Sequence, residues 1–515
     1  VLEFKQGLEA SEDDMGQIIR FDPTSGEVAA FLTPTVQIER LLDAPHDEEY
    51  FSSYFDDGSG IKGIDPDKQP LDILNWVGAG VTGRAVAIES LSGRRFSYWE
   101  RNGAVILKPT DIDMAQVSTL RLGTMNPFPI AGLVAEFNQI NEKYQIELVD
   151  YSKMSSSDGR VTGEEQLDID IISGSGPDMF DLSSLPMKKY QQAGLLEDLS
   201  QYIQQDESLK NVEMLQGPRK AMETDGKLYT LVPAYGIRTF VGDPEYIGIE
   251  RLDIPAMAKL FDEMEEGANP FGTAMSKSSF LDTMLNLNRS QFADWDKLTC
   301  NFNVPDFASL LEMAGQLPDY EDISMQASMM YTGEQRLSLR NILCLEDIVV
   351  FNSYLHENME IYGLPTAPDQ GTVMIPLVAL GISVNCEDKQ GAWAFLSSLL
   401  SDNYQRSLAG QALPLTQAGF DYIASDHRDW ISAGGELITA DPLGNELTIK
   451  ITDERFIEML QDAIDSITAV YNNDSNMMAL VFRDAQACFA GDTSPQKAAE
   501  QIQSRAGIYM AEQYS

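Results

Sequence analysis

Six side chains stand where a strand-like run ends or where the chain passes from one part to another. Asn126 follows the run Ser118–Thr124, and Asp181 and Ser183 close the run that starts at Met179. Tyr235 and Arg238 lie in the stretch Tyr229–Arg238, and Tyr362 lies in Ile361–Thr366. Amide and carboxylate oxygens accept hydrogen bonds, a guanidinium donates them, and tyrosine offers a flat apolar ring. That set suits the grip of a small hydroxyl-rich solute such as a sugar, because a wrong solute leaves buried polar groups unpaired. Acidic residues are abundant, so a hydrolytic carboxylate pair stays open as an alternative, but no spacing selects one. Each residue also has a bland reading. Asp181 could cap the next helix, Arg238 could pair with a surface carboxylate, and the tyrosines could be core rings.

The elements that position these groups are organised around Ile169–Leu199. Ile169–Ile172 has strand-like composition, while the longer stretch Gly163–Gly174 reads as a helix; Ser173–Asp178 breaks the pattern. A short apolar strand follows from Met179 and ends in Ser183 and Ser184. Pro186 then marks a first helical turn, and the amphipathic stretch closes at Gly194. In open α/β sheets, ligands bind at the carboxyl ends of strands.

Composition narrows the classes. The chain has 515 residues, 43% hydrophobic and 23% charged, which is a globular make-up with room for several domains. With 36 basic and 80 acidic residues the net charge is −44, which repels nucleic acid and anionic lipid. Cys300, Cys344, Cys386 and Cys488 form no CxxC pair, and the three histidines His46, His356 and His427 are far apart. That pattern argues against a zinc site, a disulfide framework and His-based catalysis, so no metal and no cofactor are expected. No apolar run is long enough for a membrane helix. The chain starts at Val1 with no methionine and no signal peptide, so the start is read as removed, either by processing or by the choice of the expressed segment.

In chain order, residues 1–112 read as β-rich. Gln17–Asp22 and Glu27–Leu32 flank the turn Pro23–Gly26, and Glu48–Asp57 and Gly60–Asp65 flank another glycine turn. Ile18–Pro23 echoes Ile61–Pro66, a spacing close to that of propeller blades, so the region reads as blade-like. A plain β-meander is the alternative. A boundary is expected at Thr110–Val117. From Ser118 the order strand, helix, strand, helix, strand, helix predicts a doubly wound sheet, with Leu133, Phe137 and Ile140 on the buried face of the first helix. Further on, Tyr331–Tyr354 is expected to hold a helix and then a short strand.

Five segments carry a family resemblance. Leu120–Ser152, Ser173–Ile203, Asp225–Gly248, Gly381–Gln405 and Ala412–Phe420 resemble, in order, the motifs of extracellular solute-binding proteins of the carbohydrate-uptake, maltose-binding-like family. The resemblance implies an α/β, two-lobed periplasmic-binding-protein-like fold at 117–515, preceded by the β-rich region. Lobe 1 would take about 117–234 and 362–408, and lobe 2 about 237–360 and 410–515. It implies no catalysis, a sugar or oligosaccharide as ligand, and an ABC transporter permease as partner. The branch with a β region in front implies a monomeric surface lipoprotein of a Gram-positive bacterium, held to the membrane only by a lipid anchor outside this chain. A surface sensor or adhesion module that binds glycan through the β region is the competing reading, and a glycoside hydrolase is a third.

Overall fold

In the computed structural model, the described residues are 2–5, 17–21, 28–32, 40–45, 53–56, 60–64, 71–76, 86–92, 95–100, 103–108, 117–154, 162–248, 252–265, 267–287, 289–294, 299–365, 371–441, 444–452, 454–471 and 475–512. The turn Pro23–Gly26, the echoed Asp22–Pro23 and Asp65–Pro66, and most of the boundary at 110–117 lie outside them. The chain forms two compact units, Val1–Met179 with Glu387–Ala392, and Phe180–Cys386 with Trp393–Ser515.

The first unit opens with three small antiparallel sheets whose strands follow chain order. They are Leu2–Lys5, Gln17–Phe21 and Val28–Leu32; Arg40–Asp43, Ser53–Asp56, Gly60–Ile64 and Leu71–Asn75; and Ala87–Leu91, Arg95–Glu100 and Gly103–Leu107. Alternating side chains of the last two sheets share one core. Tyr54 meets Phe96 edge-on at 5.2 Å and Trp76 meets Tyr98 at 5.0 Å. The Trp76 indole donates to the buried Asp56 carboxylate at 3.0 Å, which satisfies both polar groups. Among the described residues these sheets do not close into a propeller.

Next come Ser118–Thr124 and Tyr144–Asp150, paired in parallel with Ser118 opposite Tyr144. Parallel strands need a crossover, here the helix Phe128–Ile140. Its buried face is Ile130, Val134, Ala135, Phe137 and Asn138, whereas Ile140 is 75% exposed. The expected face was therefore rotated. The cause is Asn138, whose side-chain amide pairs with both the N–H and the C=O of Ile146 at 2.7 and 2.9 Å. Ile169–Ile172 belongs to the helix Gly163–Ser173. A reciprocal cap between Thr162 and Glu165 starts that helix and left-handed Gly174 ends it, so local capping outweighs the β-branched composition.

The second unit begins within the strand Met179–Asp181. Pro186 precedes the helix Met187–Gln192 and Gly194 takes φ +67°, as the sequence suggests. The organising element is the twelve-residue strand Leu231–Gly242, called here the spine. On one edge it pairs with Thr372–Ile382 and then Glu360–Gly363; on the other it pairs with Leu413–Pro414 and then Leu337–Ile342. All four pairings are antiparallel, so the sheet of this unit is mixed and not wholly parallel. Thr372–Ile382 also pairs in parallel with Ile467–Val470. Phe240, Tyr362 and Val373 join Phe261, Phe271, Phe280 and Phe307 in a large core covered by the helices Ile254–Asp262, Lys277–Leu287, Pro305–Gly315, Ser475–Phe489 and Pro495–Glu512. Between Tyr331 and Tyr354 the order is strand, Leu337–Ile342, then helix, Leu345–Tyr354, the reverse of the expectation. Asp347 fixes the helix start by accepting from the Leu343 and Cys344 amides at 2.7 and 3.2 Å.

Candidate functional site

The six sequence candidates divide between the two units, one in the first and five in the second. Asn126 belongs to the first unit, is exposed, and accepts from the Phe128 amide at 3.3 Å in a turn before the crossover helix. The other five lie in the second unit. Asp181 is buried at 3% exposure, and its carboxylate accepts from the Ser183 amide at 3.1 Å. Ser183 is half-buried.

Tyr235 and Arg238 share the spine, and their register against Pro376 and Val373 is unbroken. Three residues apart on a strand, they face opposite sides. Tyr235 is fully buried, with a hydroxyl that finds no partner among the described residues. Burial pushes that hydroxyl far above the usual phenol range, and the charge of Asp465 adds to the shift. Tyr362 is 7% exposed and sits in the large core, its hydroxyl likewise unpartnered. Burial, then the charges of Glu360 and Asp243, push it up to about 12.

This has a measurable consequence. A hydroxyl buried without a partner contributes nothing to folding, so Tyr362→Phe should leave urea stability at pH 7 unchanged or raise it by up to about 1 kcal/mol. The sign with pH follows from the raised folded value. Stability is retained below the unfolded pKa near ~10 and is lost as pH rises toward 12. The phenylalanine variant should lose less across that window; equal losses would contradict the assignment.

Arg238 faces outward on the other side of the spine and gathers a cluster. Cross-strand pairing sets Asn341 directly opposite, and the Arg238 Nε donates to the Asn341 side-chain oxygen at 3.1 Å. Val373 opposes Arg238 on the other edge, and Ala469 opposes Val373 in the next strand. Two residues beyond Ala469, on the same face, stands Tyr471, and the guanidinium lies 5.0 Å from its ring centroid. The Tyr471 hydroxyl in turn donates to Asp282 at 3.0 Å. The sheet face runs buried under Phe240 and Val373 and emerges at Arg238 and Asn341. Cation, amide, half-buried ring and carboxylate therefore meet at the rim of the core, the equipment for holding a polar molecule with a flat face. Sequence reasoning named Arg238 and missed Asn341, Tyr471 and Asp282, because only register joins segments so distant in the chain.

A cavity of ≈ 540 Å³ opens elsewhere in this unit, lined by Glu213, Gln216, Gln417, Gln461 and Asp465 among others. It holds carboxylates and amides but no ring, so the Arg238 cluster is the better match to a sugar-like solute. No group of three or more metal-ligating side chains occurs among the described residues.

No protein-family profile matches the sequence, and no curated protein matches it. Among solved structures, the chain is similar to the sugar-binding protein MalE from Xanthomonas citri, with TM-score 0.52 and 14% identity over 77% of this chain and 98% of that one. A chitin oligosaccharide binding protein scores 0.47 at 13% identity, covering 77% and 100%. A solute-binding protein from Thermotoga lettingae, bound with α-D-tagatose, scores 0.46 at 12%, covering 76% and 100%. The first likeness establishes the fold as the α/β periplasmic-binding-protein fold.

Proposed function

We propose that this protein is the solute-binding component of an ABC importer. It captures a carbohydrate at the Arg238 cluster by hinge closure and performs no chemistry on it. The observation that carries this reading is that the spine joins all three proposed crossings: it passes through the first itself, pairs at Ala234 and Tyr235 with Pro414 and Leu413 beside the third, and pairs at Phe240 and Val241 with Gly363 and Ile361 at the second. Lobe 1 would comprise about 117–234 and 362–408, and lobe 2 about 237–360 and 410–515. Rotation about the three crossings would bring groups of lobe 1, Asp181 and Ser183 among them, toward Arg238, Asn341 and Tyr471. Binding then shifts the open–closed population because contacts from both lobes exist only when closed. A permease would read the closed form. The fold and the ordered sequence motifs support this assignment; the family resemblance alone would imply a monomeric extracellular protein with a lipid anchor outside the chain. The sheet Arg40–Asn75, four antiparallel strands in chain order, has the strand order of a blade and equally that of a plain β-meander.

Calorimetry against mono- and oligosaccharides tests the proposal, followed by analysis of the recovered sugar. One sugar bound per chain and recovered intact is expected; hydrolysed product would make it an enzyme. Trp99, 48% exposed on the strand Arg95–Glu100, separates the adhesion reading. Trp99→Ala should leave sugar affinity within about twofold, since a residue outside the binding surface contributes little. A large loss there would move binding to the β region.

A further inference from the structure

We propose that the solute is an acidic sugar, one whose ring carries a carboxylate that Arg238 takes by its two terminal nitrogens. This rests on the carbohydrate reading above and names the class of ligand. Arg238 holds its guanidinium in place by Nε–H donation to Asn341 and by a cation–π contact with the Tyr471 ring at 5.0 Å. Among the described residues those two contacts leave the Nη pair without a hydrogen bond, and no carboxylate forms an ion pair with it. That is unexpected in a chain with 80 acidic and 36 basic residues, where a half-exposed arginine would ordinarily find a carboxylate. The acid that the described residues place in the cluster, Asp282, accepts from the Tyr471 hydroxyl at 3.0 Å.

A fixed guanidinium presents two parallel N–H donors, which match the two oxygens of a carboxylate and not the single oxygen of a hydroxyl. With Nε occupied, the end-on fork is the edge left for a ligand. A neutral sugar would leave part of that fork unpaired, and a uronic acid would fill it. Tyr471 provides the flat surface beside the fork on which a sugar ring can lie.

The test is calorimetry with matched pairs. Glucuronic acid is compared with glucose, galacturonic acid with galactose, and the di- and trisaccharides of each likewise, on the intact chain and on Arg238→Gln and Arg238→Lys. Charge-assisted pairing predicts that the acid of a pair binds about 10- to 100-fold tighter than its neutral partner. The ratio should fall to about one in Arg238→Gln and to an intermediate value in Arg238→Lys, which keeps the charge and loses the fork. Neutral sugars binding as tightly as the acids would overturn this inference and leave the carbohydrate reading standing. A preference for the acids that survives both substitutions would also overturn it, because the charge would then be read elsewhere. Binding of neither series would overturn this inference and the carbohydrate reading together.

Discussion

Gln405→Leu should lower the free energy of unfolding by about 4 kcal/mol, read from the urea midpoint at unchanged slope. Gln405 is fully buried and uses its whole hydrogen-bonding capacity. Its Nε2 donates to the carbonyls of Pro233 and Leu399 at 3.0 and 2.7 Å. Its Oε1 accepts from the amides of Leu415 and Thr416 at 2.7 and 3.0 Å. One side chain thus ties the spine, the end of a helix and the segment after Leu413–Pro414, which are two of the three proposed crossings. Leucine fills similar volume but leaves four backbone groups buried and unpaired, each loss being on the order of 1–3 kcal/mol before relaxation and water entry. Gln405→Glu sharpens the test. It keeps the acceptor for the two amides and turns an anionic oxygen toward two carbonyls. Burial and those carbonyls raise its folded pKa, so its stability is greatest below the unfolded glutamate value near ~4.3 and falls as pH rises through the folded value. A leucine variant within 1 kcal/mol of the parent would show that the amide is not a tie.

Tyr471→Ala should weaken carbohydrate binding by about 2 kcal/mol or more, roughly 30-fold, the penalty for truncating an aromatic anchor at the centre of a contact. The loss has two parts. The ring on which a sugar would lie is gone, and Arg238 loses the surface that holds its guanidinium at 5.0 Å. Tyr471→Phe separates them from the hydroxyl, since it keeps the ring and removes the hydroxyl that donates to Asp282. It should retain most of the affinity. Calorimetry of both variants with the same sugar, alongside urea denaturation, gives the comparison. Equal affinity of the alanine variant and the parent would remove Tyr471 from the site.

What could be read beforehand was local, and what could not depended on register. The short strand from Met179, the break before it, Pro186 and Gly194 are written in residues a few positions apart, and each stands where expected. The crossing at Tyr229–Arg238 was legible as a segment, but its two faces were not. Tyr235 and Arg238 looked like partners, yet a strand turns them to opposite sides, one into the core and one outward. Asn341 and Tyr471 carried no signal of their own. Asn341 matters because it pairs across 103 residues with Arg238, and Tyr471 because it directly follows the strand Ile467–Val470, which runs beside Thr372–Ile382. At Ile169–Ile172 the strand-like composition misled and the helical reading of the longer stretch Gly163–Gly174 was right, because a capping box and a left-handed glycine bound the helix. Periodicity misled in Phe128–Ile140, where the buried polar Asn138 chose the face.

Small-angle X-ray scattering of the chain, without sugar and with each acidic and neutral oligosaccharide at saturating concentration, tests most directly whether grip by hinge closure is the function. The account predicts a smaller radius of gyration with the bound sugar, no change with non-binding sugars, and no response in Tyr471→Ala. A radius of gyration that stays the same while calorimetry reports a sugar bound would contradict it.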